Sequence, residues 1–111
     1  MKIENIELYY LSMPEILDEA DGSQDALIVK VEAGGLVGWG ECEASPLTSI
    51  ANFICPKSHS AANPIRDSII NQNINDLNDV KKIIETVKHR SLMIAQTPHT
   101  FSGIEVALLD L

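Results

Sequence analysis

The stretch LIVKVEAGGLVGWGECEASP, residues 27–46, contains the clearest fold signal in the chain. Leu27, Val29 and Val31 are predicted to face one way and Ile28 and Lys30 the other, in the two-residue period of a strand. Gly34 and Gly35 can then adopt the positive φ angles of a tight hairpin, and the alternation resumes after them. The stretch therefore predicts two antiparallel strands joined by a short turn.

Two further features place these strands in a larger sheet. Gly38 and Gly40 leave one face of the second strand without side chains, so we expect a helix or another backbone to pack closely there. Residues 2–11 show the same alternation and predict an earlier strand, which ends before Pro14. Three consecutive strands within residues 1–41 predict an antiparallel meander.

Residues 42–63 have no clear period. The segment contains prolines and many small polar side chains, which is typical of a long irregular loop. Loops of this length in compact domains are usually binding loops, lids or disordered links. We therefore expect the length of this loop to reflect its function.

Residues 64–111 show helical spacing. Asn63 is predicted to cap a short helix with Pro64 at its first position, and Asn75 or Asp76 is predicted to cap a longer one. The predicted apolar stripe and basic last turn of the longer helix consist of Leu77, Val80, Ile84 and Val87, and of Lys88, His89 and Arg90, respectively. Together with the meander, these helices define an α+β fold.

The last predicted helix starts at Thr97-Pro98 and contains FSGIEVALLDL, residues 101–111. Apolar side chains lie on almost every side of it, and Glu105 and Asp110 are the polar members of its final eight residues. A helix of this kind is normally buried all round, whereas a three-stranded sheet with two other helices covers one side. We therefore expect a missing neighbour, either a partner chain or the remainder of a longer polypeptide.

The composition narrows the class of protein. A chain of 111 residues fits one small domain. Its net charge of -8 disfavours phosphate backbones and anionic membranes, so neither nucleic-acid binding nor membrane binding is expected. The apolar runs are too short to span a bilayer and the N-terminal residues lack a signal-peptide pattern, which predicts a cytoplasmic location. Cys42 and Cys55 are then expected to be reduced thiols.

Two blocks of the sequence resemble one known family. Residues 27–46 and the closing SGIEVALLDL, residues 102–111, are similar to the N-terminal domain of the mandelate racemase and muconate lactonizing enzyme group of the enolase superfamily. The resemblance implies an N-terminal α+β capping domain followed by a C-terminal β/α barrel. It also implies Mg²⁺-dependent abstraction of a proton next to a carboxylate, as in dehydratases, racemases and cycloisomerases.

The resemblance further implies a division of labour. Barrel enzymes carry their catalytic residues at the ends of barrel strands. This sequence has neither a Lys-x-Lys pair on a strand nor a spaced series of Asp and Glu on strand ends. We therefore predict no catalytic residue and no metal ligand here, and the chain alone is not expected to catalyse the family reaction. Mg²⁺, the barrel domain of the same polypeptide, a small carboxylate substrate and a homo-oligomeric state are expected of the intact protein.

In this family two loops of the capping domain close over the barrel mouth and contact the distal part of the substrate. The matching segments run from Pro14 to Asp25 and from Cys42 to about Asn63. The predicted substrate-contacting residues carry hydroxyls, an amide and one ring, which suit a polyhydroxylated acid: Ser45, Thr48, Ser49, Asn52 and Phe53. Because the first segment is acidic, a monoacid sugar or a partly cationic substrate is favoured over a diacid.

Alternatives remain open from the residues. The chain could be a stand-alone interaction module that self-associates through its apolar C-terminal helix. Cys42, Cys55 and His59 could bind a metal, although their spacing matches no zinc motif. Trp39 is interpreted as a packing residue of the sheet rather than as a substrate contact.

Overall fold

The computed structural model describes residues 1–19, 24–43 and 45–111. Three strands are followed by four helices: β1 Ile3–Leu11, β2 Ala26–Ala33, β3 Leu36–Cys42, α1 Pro46–Ile54, α2 Ile65–Ile69, α3 Leu77–Arg90 and α4 Thr97–Asp110. The strands form one antiparallel sheet in the order β1-β2-β3. The predicted α+β fold with an antiparallel meander is therefore confirmed.

The central strand β2 determines which side of the sheet is buried. Leu27, Val29, Val31 and Ala33 alternate along β2 and are fully buried against the helices. The turn after β2 has φ angles of 56° at Gly34 and 79° at Gly35, in the left-handed region that favours glycine. The hairpin predicted from these two glycines is confirmed, and it fixes the register of β3 on β2.

Helix α4 packs directly on the backbone of β3. A Cβ atom placed on Gly40 would lie 2.0 Å from the carbonyl oxygen of Gly103, and one on Gly38 would lie 2.0 Å from that of Ala107. A Cβ atom on Gly103 would in turn lie 2.4 Å from Sγ of Cys42. The absence of these Cβ atoms permits the close approach of helix and strand, which confirms the expectation from the bare face of β3.

The outer side of α4 is still apolar. Ile104, Ala107 and Leu108 are buried, whereas the side chains of Val106 and Leu109 are 51% and 54% exposed. The sheet and α3 thus cover one side of the helix, as expected from the size of the domain. In the described part of the chain, no helix combines the length and the apolar character needed to cross a membrane.

Helix α3 has the predicted N-cap residue, but its buried side differs from the predicted apolar stripe. The Asp76 side chain accepts a hydrogen bond from the Asp79 amide at 3.1 Å, so Asp76 is the N-cap. Val80, Ile83 and Val87 are buried. Leu77 is 63% exposed, and its predicted place in the core was wrong because the first turn of α3 extends beyond the surface that the neighbouring elements cover. Ile83 takes the central position, and Ile84 is half-buried beside it.

The predicted start of the short helix was also wrong. Helix α2 begins at Ile65 with Pro64 in the N-cap position, one residue later than predicted. The Asn63 side chain is buried and donates to the carbonyl oxygens of Ser60 and Arg90, at 2.8 Å in both cases. Asn63 therefore satisfies a carbonyl at the C-terminal end of α3 instead of capping α2.

Residues 42–63 are not one irregular loop, because α1 occupies Pro46–Ile54. Pro46 stands at the first helical position, where its missing amide hydrogen costs nothing. Ser49, Asn52 and Phe53 form the buried side of the helix, at a helical spacing of three and four residues. Two of these three residues are polar, so the buried side of this helix lacks the apolar stripe that a core-facing helix normally shows in sequence.

Candidate functional site

The sheet brings two connecting segments together at one end of its strands. Leu11 at the end of β1 is paired with Ala26 at the start of β2, and Leu27 is paired with Cys42 at the end of β3. The segments that follow β1 and β3 therefore leave the sheet at the same end of the strands. Residues 20–23 and Ala44 lie outside the described residues, so the two predicted loops are described in part.

A shallow cleft of about 350 Å³ lies where these segments meet. Its lining comes from both of them and consists of Ile16, Gln24, Asp25, Glu43, Ser45 and Pro46. The lining thus combines two carboxylates, one hydroxyl and one amide with the apolar side chains of Ile16 and Pro46. The cleft is open to solvent, which suits a surface that closes over another body better than it suits an enclosed ligand pocket.

Asp25 is held in place at the rim of this cleft. Its carboxylate accepts hydrogen bonds from the Tyr10 hydroxyl and from the Met13 amide, the latter at 2.7 Å. The hydrogen bond from Tyr10 is the main reason that the pKa of Asp25 is lowered, and the Met13 amide adds to it. The same bond raises the pKa of Tyr10. Asp25 is therefore a fixed anion that ties the start of the first segment to its end.

The five predicted substrate contacts fall into two groups. Ser45 is exposed and Thr48 is half-buried, so both remain within reach of a ligand. Ser49, Asn52 and Phe53 are at most 4% exposed. These three side chains are turned into the domain, which corrects the expectation that they face a substrate, whereas contact by Ser45 and Thr48 stays a prediction.

The buried polar side chains of α1 bond to the start of α4. The Thr100 hydroxyl donates to Oγ of Ser49 at 2.8 Å. Nδ2 of Asn52 donates to the carbonyl oxygen of Ala95 at 2.9 Å and to Oγ1 of Thr97 at 3.1 Å. These bonds fix α1 against α4 and orient the other side of α1 outward.

The outward side of α1 is apolar, and sequence reasoning missed it. Leu47 and Ile54 are 66% and 61% exposed, seven residues apart and therefore on the same side of the helix. In the first segment, Ile16 is 56% exposed and lines the shared cleft. The sequence signal for this apolar side is the seven-residue spacing of Leu47 and Ile54. It can be recognised only once the segment is known to be helical.

The other candidate sites are not supported by the structure. Among residues 1–19, 24–43 and 45–111, no group of three or more His, Cys, Asp or Glu side chains could hold a metal ion. Cys42 is buried, its thiol donates to the Thr100 carbonyl at 3.2 Å, and burial raises its pKa to about 11. The proposed metal site with Cys55 and His59 is therefore contradicted. Trp39 is 48% exposed on the outer side of the sheet, so its interpretation as a core residue was wrong.

Comparison with known proteins places these features in context. Residues 16–111 match the sequence model of the family described as "Mandelate racemase / muconate lactonizing enzyme, N-terminal domain". The chain is similar to a solved structure described as a predicted mandelate racemase from Rhodobacter sphaeroides, with 55% sequence identity and a TM-score of 0.95. That likeness covers 99% of this chain and 28% of the other.

A second solved structure, described as a "putative racemase", has 22% identity and a TM-score of 0.75. The likeness covers 96% of this chain and 26% of the other, and at this identity it supports the fold alone. The chain thus spans between a quarter and a third of the length of both proteins. No protein with a curated description matches the sequence.

Proposed function

Because the chain belongs to the mandelate racemase / muconate lactonizing enzyme N-terminal domain family, we propose that it is the capping and substrate-specificity domain of a larger enzyme. That enzyme abstracts a proton next to a carboxylate, in a racemase, dehydratase or cycloisomerase reaction. The observation that carries the proposal is the family match over residues 16–111 together with the 99% coverage of this chain by a protein more than three times as long.

The position of the two segments that follow β1 and β3 supports a capping role. A cap needs segments that lie side by side, reach beyond the domain core and are anchored at their bases. The first segment is anchored by Asp25 through Tyr10 and Met13. The second continues into α1, which Ser49 and Asn52 bind to α4. The anchored bases hold both segments at the same end of the strands, and Ile16 in the first and Leu47 in the second are exposed.

The exposed groups suggest how the domain would treat a substrate. Leu47, Ile54 and Ile16 offer apolar surface that excludes water from a covered site, which strengthens the electrostatic interactions within it. Ser45 and Thr48 offer hydroxyls that can donate to or accept from a substrate. The proposed division is therefore water exclusion by the apolar side chains and orientation of the distal part of the substrate by the hydroxyls.

The chemistry itself is proposed to reside outside these residues. A bound Mg²⁺ stabilises the enediolate that forms when a proton leaves the carbon next to a carboxylate. The described residues do not fit such an ion, since no cluster of three or more potential ligands occurs among them. We therefore propose that the metal ligands and the acid/base residues belong to a C-terminal barrel domain of the same polypeptide.

The proposal is tested on the full-length protein with a panel of carboxylic acids that carry a proton on the neighbouring carbon. In the presence of Mg²⁺ we expect either exchange of that proton with deuterium from solvent or conversion of the acid to a product, and neither with residues 1–111 alone. The variants Ser45→Ala and Thr48→Val should change the relative kcat/KM among the acids. Absence of both exchange and conversion with every acid of the panel, in a folded and Mg²⁺-saturated protein, would overturn the proposal.

A further inference from the structure

A small polar cavity lies between helices α2 and α3. Its volume is about 240 Å³, and it is lined by Ser68 of α2, by Gln72 and Asn73 of the following turn, and by one side of α3. We call it the α2–α3 cavity. None of its lining residues belongs to the cleft between the segments that follow β1 and β3. The proposed capping role therefore assigns no function to it.

The backbone holds the walls of the cavity in fixed positions. Asn71 has a φ angle of 67°, in the left-handed region, which Asn tolerates. The Asn71 amide donates to the carbonyl oxygen of Ile3, and the Ile3 amide donates to that of Gln72, both at 2.9 Å. The turn is thus tied to β1. The α3 side chains that line the cavity lie at helical spacing on one side of the helix: Asp79, Lys82, Ile83 and Thr86.

Ser68 supplies a buried hydroxyl to this cavity. Ser68 is 2% exposed, and its Oγ atom makes no hydrogen bond within the part of the chain that the structure describes. An unpaired buried hydroxyl is costly, so a bonding partner is expected in the cavity that Ser68 lines. A volume of 240 Å³ equals that of about eight water molecules in the liquid, so one bridging water does not fill it. The cavity suits a polar molecule smaller than a drug-sized ligand.

The charged groups of the cavity are one fixed anion and one adaptable cation. Oδ2 of Asp79 accepts a hydrogen bond from the Asn75 amide at 2.9 Å. Nζ of Lys82 lies 3.8 Å from Oδ1 of Asp79, and the Lys82 side chain is 79% exposed. An exposed ion pair contributes little to stability, so Lys82 can turn towards a ligand at low cost. Oδ1 of Asp79 then becomes free to accept a hydrogen bond from the same ligand.

These groups favour a ligand that carries both charges. A monoanion would meet the carboxylate of Asp79, and a monocation would meet the ammonium group of Lys82. A zwitterion can place its ammonium group on Asp79 and its carboxylate on Lys82, where the amides of Gln72 and Asn73 can also donate. The Thr86 hydroxyl donates to the Lys82 carbonyl oxygen at 2.9 Å and keeps lone pairs that can accept from an ammonium group. The cavity therefore suits an amino acid better than a simple acid, amine or polyol.

We propose that the α2–α3 cavity binds a small α-amino acid with a hydroxyl group in its side chain. The charged groups of the amino acid bind at Asp79 and Lys82, the more exposed part of the lining, where they lose the least hydration. Its hydroxyl group reaches the buried part of the cavity and pairs with Ser68. The site lies entirely within residues 68–86, so the proposal does not depend on the proposed function.

The test is isothermal titration calorimetry of the full-length protein with L-serine and matched probes. We expect saturable binding of L-serine. L-Alanine lacks the hydroxyl group and should bind about fivefold more weakly, because Ser68 stays unpaired. Glycolate carries only the negative charge, ethanolamine only the positive charge and erythritol neither. Each of these three should bind at least about tenfold more weakly than L-serine.

Variants assign the binding to this cavity. Asp79→Asn and Lys82→Gln each remove one charge and should lower the affinity for L-serine about tenfold or more. Ser68→Ala should abolish the preference for L-serine over L-alanine. It should not lower the free energy of unfolding, because the Ser68 hydroxyl has no partner in the described structure. Lys81→Gln is the matched control, since Lys81 is exposed on α3 and does not line the cavity.

Three results would overturn the proposal: no probe binds saturably, L-serine binds equally well to all variants, or erythritol binds as well as L-serine. Binding that survives Asp79→Asn and Lys82→Gln belongs to another site. Circular dichroism checks that the variants are folded, and Lys82→Gln and Ser68→Ala remain informative if Asp79→Asn is not. Failure of the proposed function would appear separately, as absence of proton exchange and conversion in a protein whose cavity still binds L-serine.

Discussion

The backbone amide of Trp39 donates a hydrogen bond to Oδ2 of Asp110 at 2.9 Å, across 71 residues of sequence. Trp39 lies in β3, which is an edge strand of the sheet, and Asp110 is the last residue of α4. The carboxylate satisfies a strand amide and ties the C-terminal end of α4 to the sheet. This interaction offsets the unfavourable position of a negative charge at the C-terminal end of a helix.

Replacement of Asp110 by Ala should free the Trp39 amide. We expect the free energy of unfolding in urea to fall by about 0.5–1 kcal/mol, because one exposed hydrogen bond is lost while the repulsion with the helix dipole is relieved. Amide hydrogen exchange at Trp39 should become faster. Asp110→Asn keeps an acceptor oxygen and should retain most of the protection, so equal exchange rates in Ala, Asn and wild type would contradict the assignment.

Gly40→Ala should disrupt the packing of α4 on β3. The new Cβ would meet the Gly103 carbonyl at 2.0 Å, and a backbone atom in a packed helix cannot move away cheaply. We expect a loss of about 3 kcal/mol or more in the free energy of unfolding. Gly35→Asn is the control, because a Cβ atom at this position meets no atom within 4 Å and Asn tolerates positive φ. Similar losses in both variants would show that the clash is not the cause.

Asn52→Ala should act on stability and not on substrate choice. Removal of the amide leaves the Ala95 carbonyl without this donor in the interior, which costs about 1–3 kcal/mol. Ser45→Ala removes an exposed hydroxyl and should change the free energy of unfolding by less than about 0.5 kcal/mol. Urea denaturation of residues 1–111 measures both values. A larger effect at Ser45 than at Asn52 would reverse the roles that we assign to them.

Cys42 should be protected from thiol reagents, and Cys55 should react first. Cys42 is buried, Cys55 is partly exposed, and burial raises the pKa of Cys42 from 9.0 to about 11. The pKa of Cys42 is higher in the folded state than in the unfolded state. Its contribution to the free energy of unfolding is therefore fully present below about pH 9 and is lost as the pH rises from about 9 to 11. Denaturation at successive pH values should show this decline in the wild type and a weaker one in Cys42→Ala. Equal labelling rates for the two thiols would contradict the burial of Cys42.

Tyr10→Phe should release Asp25 from its strongest partner. The pKa of Asp25 is lowered mainly by the Tyr10 hydroxyl, so it should rise toward the ordinary value of 3.8 in the variant. In the wild type the interaction is complete above the ordinary pKa and is lost as the pH falls through the lowered pKa. Carboxyl-carbon NMR titration measures the shift. Tyr9→Phe is the control, because Tyr9 bonds to Glu7, and an unchanged Asp25 pKa in Tyr10→Phe would exclude the proposed cause.

Features that depend on neighbouring residues were predictable from the sequence alone. The alternation along β2, the positive φ angles of Gly34 and Gly35, and the Asp76 cap follow from periods and dihedral preferences within a few residues. The bare glycines of β3 also predicted a close helix, since a strand without side chains can be packed only by something near its backbone. The two blocks that resemble the capping-domain family lie in these regular parts of the chain.

The tertiary structure decided which side chains are available to a partner. Ser49 and Asn52 look like surface residues in sequence, but their hydrogen-bonding partners lie more than 40 residues away, in and just before α4. Trp39 looks like a core residue, but the register of β3 places it on the side of the sheet away from the helices. Burial of a polar or aromatic side chain depends on the elements that meet it in space, and local sequence does not encode those distant contacts.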